Sequence, residues 1–305
     1  MSGASDCALT ADEGALLERI DYRGSLGFFL LHAACLLAPL VGISWAAVAA
    51  CLASFAVRMF GITAGFHRYF SHRTFRTGRA FQFLLAVLGT MAVQKGPLWW
   101  AAQHRRHHRH ADTEDDVHSP VTRGLWWAHV GWILCRKYAG TDFKLVRDLD
   151  RFPELRFLNR FYLLPPFVLA VLCFTTGAIL ERCAPGLHTS GAQLLVYGFF
   201  VSTVLLSHAT FSVNSLAHRF GSRRFETTDG SRNNFLVALV TFGEGYHNNH
   251  HHCPSSERQG LRWWEVDVAH CALVLLSWVG IVRDLRAPPE RLFRHEKGSG
   301  ERAGW

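Results

Sequence analysis

Residues 25–65 form an almost unbroken apolar run of about 40 residues, and that run dictates the class of fold. A helix that spans a bilayer needs about 20 residues, so the run is too long for one span and suits two. Pro39, Gly42 and Ser44 mark a turn near 39–44. Two further apolar runs cover 161–180 and 193–213, joined by a short link. Lipid offers the backbone no hydrogen-bond partners, so each span must be a helix. The sequence therefore predicts an all-α integral membrane protein with four transmembrane helices, at about 25–42, 44–66, 161–180 and 193–213, arranged as two hairpins. Two shorter apolar stretches, 81–93 and 270–282, are expected to pack within the protein or lie at the interface.

Charge predicts the orientation. Of the 32 lysines and arginines, 16 fall in 67–160 and 12 in 214–305, and the link between the last two spans holds only Arg182. Positive loops stay cytoplasmic, so both polar segments and both termini are expected on the cytoplasmic side, as one helical cap under the bilayer. This divides the chain into an N-terminal cytosolic segment (1–24), a membrane domain (25–285) and a C-terminal tail (286–305). The first segment lacks the pattern of a cleavable signal peptide and offers a short amphipathic helix near 11–20. The net charge of +8 is explained by positive anchors beside apolar spans, and no nucleic-acid partner is expected. The eight cysteines form no Cys-x-x-Cys pair, which argues against a disulfide framework or zinc ribbon.

Histidine is the outlier, with 18 copies. Three clusters lie in the two polar segments: His67-Arg-Tyr-Phe-Ser-His72, His104-Arg-Arg-His107-His108 and His247-Asn-Asn-His250-His251. Residues at i, i+3 and i+4 share one face of a helix, so the second and third clusters each aim three imidazoles one way. Asn214 and His218 stand one turn apart at the end of the fourth span. His67 and His72 are five residues apart, about 140° on an ideal helix, and converge only if the helix ends or bulges between them. Nine imidazoles exceed the needs of one ion and suit two metals, with Asn214 able to hold a water. Imidazole accepts iron, zinc, copper or nickel. His110, His118 and His252 are the remaining histidines expected nearest this cluster.

At these residues the chain resembles the membrane fatty acyl desaturases, of the acyl-CoA delta-9 (stearoyl-CoA) type. The likeness covers roughly 25–285. It rests on the three clusters in this order, on Gly61-Ile-Thr-Ala-Gly65, His129-Val-Gly-Trp132 and Asn214-Ser-Leu-Ala-His218, and on Gly243-Glu-Gly-Tyr before the third cluster. The resemblance implies two iron ions on His67, His72, His104, His107, His108, His218, His247, His250 and His251, with Asn214 reaching one through water. Zinc can replace iron in recombinant material. It implies a bent acyl tunnel with Gln94, Trp100 and Thr210 at the kink, and contacts from Arg136 and Lys137 to a CoA head group. Two positions depart from the family pattern: Phe66 stands where an alanine is usual, and Ala102 where a basic CoA contact is usual. The 20 residues from 286 to 305 are too few for a fused cytochrome b5 domain, so a separate electron donor is expected, a ferredoxin or a cytochrome b5-type protein with its reductase.

The expected reaction is oxygen-dependent desaturation of a long-chain acyl-CoA, with oxygen as co-substrate. Phe55 or Met59 on the second span is expected to limit chain length. Acyl-lipid and acyl-carrier-protein substrates stay open, as does a membrane di-iron hydroxylase of fatty acids or alkanes. A histidine-rich metal transporter is remoter, because transporters keep polar ligands near the bilayer midplane.

Overall fold

The computed structural model describes residues 16–290 and 292. Most of the expected amphipathic helix at 11–20, and the tail beyond 292, lie outside those residues. The chain is helical, and its strand pair, β1 (Arg76–Thr77) with β2 (Val282–Arg283), ties the first polar segment to the last.

Among the described residues, three helices are long and apolar enough to cross a membrane: α2 (Trp45–Ser71), α7 (Leu164–Cys183) and α8 (Gly191–His218). The expected first span is α1 (Leu26–Val41), apolar but shorter, with a 3-10 turn at Cys35–Leu37. It stops at Gly42, whose φ of +67° suits a residue without Cβ. Ser44 then caps α2 by accepting from the Ala47 amide at 3.2 Å. Gln193 of α8 locks this turn, donating to the Val41 carbonyl at 2.8 Å and accepting from Ser44 at 2.8 Å. Outward-facing side chains on these helices are bare hydrocarbon: Leu40 is 80% exposed and Phe167 66%. Such a belt of exposed apolar surface is a lipid-facing surface.

The short helices are α3 (Arg79–Thr90), α4 (Pro97–His110), α5 (Gly124–His129), α6 (Pro153–Arg160), α9 (Phe235–Val240), α10 (His247–His252) and α11 (Val268–Trp278). The two short apolar stretches became α3 and α11 and do not reach spanning length.

Two features of α2 position the site. First, Gly61–Ser71 is wound as a π-helix, in which residue i bonds i+5. The His72 amide donates to the His67 carbonyl at 3.2 Å, and the Ser71 hydroxyl to the Phe66 carbonyl at 2.8 Å. The wider winding brings residues five apart onto one face, which the ordinary helix does not. Second, Gly61 lies directly on the backbone of α3 at Leu88 and Gly89, and the Phe66 ring covers Gly89. The bulky Phe66 is thus matched by a missing side chain opposite.

Arg58, inside α2, is fully buried without a carboxylate among its hydrogen-bond partners. It donates to the Ser54 carbonyl (3.0 Å), the Met91 carbonyl (3.4 Å), Thr203 Oγ1 (2.6 Å) and Ser202 Oγ (2.5 Å), so α2 and α8 are clamped by polar bonds in an apolar layer.

Replacing Gly61 by valine is expected to cost about 1–3 kcal/mol, because its Cβ would enter the α3 backbone. Gly78→Ala, where nothing lies within 4 Å, is the control. Thermal unfolding in detergent checks this: a lowered midpoint for Gly61→Val alone is expected, and equal midpoints would contradict the close α2–α3 contact.

Candidate metal centre

Four elements converge at the ends of α2 and α8. The π-wound end of α2 supplies His67 and His72. One face of α4 supplies His104, His107 and His108. The 3-10 turn that closes α8, Leu216–His218, supplies His218. The short α10 supplies His247, His250 and His251. The two asparagines between the α10 histidines hold that helix from behind. Asn248 Oδ1 accepts from the amides of Arg224 (2.8 Å) and Phe225 (2.7 Å), and Asn249 donates to the Gln259 carbonyl at 2.9 Å.

The nine imidazoles fall into two groups. His67, His72, His104, His108 and His250 bring one nitrogen each to within 4.8 Å of one another, and so do His107, His218, His247 and His251. Helices α4 and α10 contribute to both groups through adjacent residues, and the stacked rings of His108 and His251, 4.5 Å apart, join them.

Carboxylates set the direction of these rings. Asp116 accepts from His107 Nδ1 at 2.9 Å, Asp112 from His218 Nδ1 at 2.9 Å and Asp229 from His251 Nδ1 at 2.8 Å; Glu244 pairs with His67 Nδ1. Burial works against ionisation of each aspartate. The paired imidazoles outweigh it, holding Asp112 down at about 2 and Asp116 and Asp229 lower still. Glu244 is itself held by the buried Arg68, which also binds Glu257 at 3.2 Å and Asp267 at 2.9 Å. Arg68 thereby ties the first cluster to the third.

A hydrogen on Nδ1 leaves a lone pair on Nε2. His107 Nε2 and His251 Nε2 nonetheless face each other at 3.3 Å. Other Nε2 pairs lie as close: His72 and His104 at 2.7 Å, His108 and His250 at 2.9 Å, His218 and His247 at 3.0 Å, His67 and His250 at 3.1 Å. Between His107 and His251, whose hydrogens both sit on Nδ1 beside Asp116 and Asp229, lone pair faces lone pair, and a cation between them removes that repulsion. The donor set is all imidazole, which fits iron, zinc, copper or nickel. Burial first, and neighbouring imidazoles second, hold His72, His104, His108, His247 and His250 well below 6.5, so these rings are neutral, as metal binding requires.

A cavity of about 550 Å³ leads to this centre, a volume typical of small-molecule sites. Its lining includes His104 and Asn214, and the structure joins the three expected kink residues there. Gln94 donates to Thr210 Oγ1 at 2.6 Å and accepts from the Trp100 indole at 3.3 Å. The walls come from α1, α7 and α8, and cavity-lining Leu163 and Phe167 are themselves exposed on the lipid-facing surface. Phe55 and Met59 do not line the cavity: Met59 is buried in the core and Phe55 packs on Phe242. The expectation that Phe55 or Met59 limits chain length is corrected accordingly. α8 lies between α2 and the cavity, contributing Phe199, Thr203 and Ser207.

Arg136 and Lys137 stand on the surface beside the cavity, engaged by the chain's own acids. Arg136 donates to Asp21 at 2.9 Å and Lys137 to Glu18 at 2.6 Å. Of the three outer histidines, His118 is buried with its ring 4.3 Å from that of His107, while His252 is exposed and stacks on Phe225, and His110 borders an outer groove. Sequence reasoning missed Asp112, Asp116, Asp229 and Glu244. Asp112 and Asp116 flank an acidic stretch just after the second cluster, and Glu244 sits in the Gly-Glu-Gly-Tyr lead of the third, which were the available signals.

The fatty acid desaturase family model matches residues 43–274. The chain is similar to the acyl-CoA C20 Delta5-desaturase of Anemone leveillei, 35% identical over 264 residues, covering 85% of this chain and 80% of that protein. It is also similar to the sn-1 stearoyl-lipid 9-desaturase of Anabaena variabilis, 35% identical over 271 residues, covering 88% of this chain and 94% of the relative. A hex-5-enoyl-[acyl-carrier protein] acetylenase of Moorena producens is 36% identical over 253 residues, covering 79% of this chain and 77% of the relative.

Asp229→Asn is expected to weaken metal retention about 10–100-fold, since it frees the His251 ring and its tautomer. Dialysis against chelator followed by metal analysis reads this, and unchanged retention would contradict the orienting role. The rings held below 6.5 should resist proton competition, because lowering the buffer pH toward 6.5 still leaves them neutral. Metal held through His72, His104, His108 and His250 should therefore stay from neutral pH down to 6.5, whereas for His107 burial is outweighed by Asp116, which raises it, so the four-imidazole group is the first to lose metal. Loss from both groups together over that window would mean ordinary, solvent-exposed imidazoles.

Proposed function

The chain belongs to the fatty acid desaturase family, and from that premise we propose that it is an oxygen-dependent di-iron desaturase placing a cis double bond, at the delta-9 position, in a saturated long-chain acyl-CoA. The observation that carries this is the pair of buried imidazole groups at the end of a cavity lined by hydrocarbon. We read the chain as four spans in two hairpins, with the histidine-bearing segments and both termini cytoplasmic.

A pair of iron ions, when bound, supplies the oxidising power that an unactivated methylene C–H bond requires. His67, His72, His104, His108 and His250 would hold one ion. His107, His218, His247 and His251 would hold the other, with Asn214 adding a water. Gln94, Trp100 and Thr210 hold one another in place and give the acyl chain a fixed bend, so that one pair of methylenes faces His104. Fixing the geometry in this way is what makes the reaction regioselective. The apolar walls exclude water from the reacting carbons. Electrons come from a separate donor protein.

Two observations favour a second reading of the carrier, a glycerolipid-linked acyl chain. Arg136 and Lys137 already bind Asp21 and Glu18, and Leu163 and Phe167 open the cavity toward lipid. Exposed ion pairs contribute only about 0–1 kcal/mol, so a polyphosphate head group can still displace the acids.

Expression in a desaturase-deficient host tests the function. Wild type should restore monounsaturated acids, as loss of two hydrogens without gain of oxygen, whereas His107→Ala and His250→Ala should not. Activity in either variant would contradict the assignment. Membranes supplied with labelled stearoyl-CoA separate the carriers: label in unsaturated acyl-CoA before lipid supports CoA, and label in lipid first supports the second reading.

A further inference from the structure

Three histidines outside both imidazole groups form a second assembly. His32 lies on α1, His208 on α8, and His129 ends α5. His32 Nδ1 donates to the Phe28 carbonyl at 2.8 Å. His32 Nε2 and His208 Nε2 are 3.0 Å apart, and His208 Nδ1 and His129 Nε2 are 3.0 Å apart. His129 Nδ1 is 2.9 Å from Ser215 Oγ, which also lies 3.0 Å from the Phe211 carbonyl. Each of the six ring nitrogens has a named partner. Those partners are backbone carbonyl, imidazole and hydroxyl, with no carboxylate among them.

The proton positions follow from one end. A carbonyl only accepts, so His32 Nδ1 carries a hydrogen. If His32 is neutral, its Nε2 accepts from His208 Nε2. His208 Nδ1 then accepts from His129 Nε2, and His129 Nδ1 accepts from the Ser215 hydroxyl. Adding one proton reverses every bond. His32 becomes an imidazolium and donates from Nε2, His208 donates from Nδ1, His129 donates from Nδ1 to Ser215, and the Ser215 hydroxyl turns to Phe211. Both arrangements satisfy every group. Burial holds His129 below its ordinary 6.5, which keeps the charge of the loaded line away from that ring. A set of merely structural histidines needs one satisfied arrangement; a line satisfied in two, differing by one proton, can conduct.

The line ends beside the metal centre. Ser215 follows Asn214, which lines the acyl cavity, and precedes His218 of the four-imidazole group by less than one helical turn.

Resting on the desaturase reading, we propose that His32, His208 and His129 store one proton and deliver it through Ser215 to the oxygen chemistry. Desaturation consumes one acyl chain, one O2, two electrons and two protons, and yields the alkene and two waters. The electrons come from the one-electron donor protein. In each delivery the His32 Nε2 proton passes to His208 Nε2, the His208 Nδ1 proton to His129 Nε2, and the His129 Nδ1 proton to Ser215 Oγ. The Ser215 hydroxyl proton then leaves to water at Asn214. One proton departs and His32 becomes neutral. Between turnovers a proton from water returns through Ser215 by the reverse transfers, because His32 Nδ1 ends on the Phe28 carbonyl, and the second proton of each turnover comes directly from water.

Nitrogen-15 NMR of histidine-labelled protein, reconstituted in lipid with its metal, tests the line without relying on turnover. The three rings are identified as the signals altered together by His208→Gln. On acidification, one imidazolium should appear while two neutral rings switch from Nε2–H to Nδ1–H in the same step. Independent titration of the three rings would overturn the proposal. In the activity arm, His208→Gln should lower turnover about tenfold or more below the pH at which the line loads, the difference narrowing as pH rises and the wild-type line empties, with metal content and substrate KM unchanged. Unchanged turnover would also overturn it. If His208→Gln loses its metal, His32→Asn, at the far end, takes its place in identifying the three rings, and turnover is compared at saturating substrate only, because His32 also lines the acyl cavity. Wild type that desaturates nothing would sink the functional reading, while the coupled titration would still decide whether the line exists.

Discussion

The structure depends on where nine hydrogens sit. A neutral histidine aims a lone pair inward when its other nitrogen carries the ring hydrogen, and an acceptor beside that nitrogen fixes this tautomer. Asp112, Asp116, Asp229 and Glu244 take that hydrogen from four rings, and those rings then present bare nitrogens to a buried centre. Where two such rings meet, as His107 and His251 do, the arrangement is repulsive without a cation, which couples folding to metal binding. The fold invests accordingly: a π-wound helix end, a buried Arg68 among three carboxylates, and two asparagines whose side chains anchor a helix of six residues.

The membrane helices serve the same centre from the other side. Glycine contacts bring α3 against α2, and Arg58 clamps α8 to α2. That rigid block leaves the cavity to α1, α7 and α8, whose outer faces meet lipid. The hydrogen-bonded set of Gln94, Trp100 and Thr210 lines the cavity where its apolar walls meet the polar centre.

Much of this was legible in the sequence, for identifiable reasons. The clusters at 104–108 and 247–251 announce a shared face because helical spacing is a local rule, and the structure brings all nine histidines together. The pairing of His67 with His72 was visible as a difficulty, and a π-helix resolves it, which spacing alone does not specify. Three of the four apolar runs became helices of spanning length, and the first became the shorter α1. What stayed hidden is long-range. Asp112 meets His218 across 106 residues, and His32 meets His208 across 176, separations that no periodicity encodes. Phe55 and Met59 were misjudged because an apolar residue on a span does not reveal which neighbour it faces.

X-ray absorption at the iron edge, with metal quantified per chain, tests the central claim most directly. Two ions per chain, in a first shell of imidazole nitrogen with little carboxylate oxygen, is the result expected from two buried groups of five and four histidines. A single ion per chain, or a shell dominated by carboxylate oxygen, would contradict it.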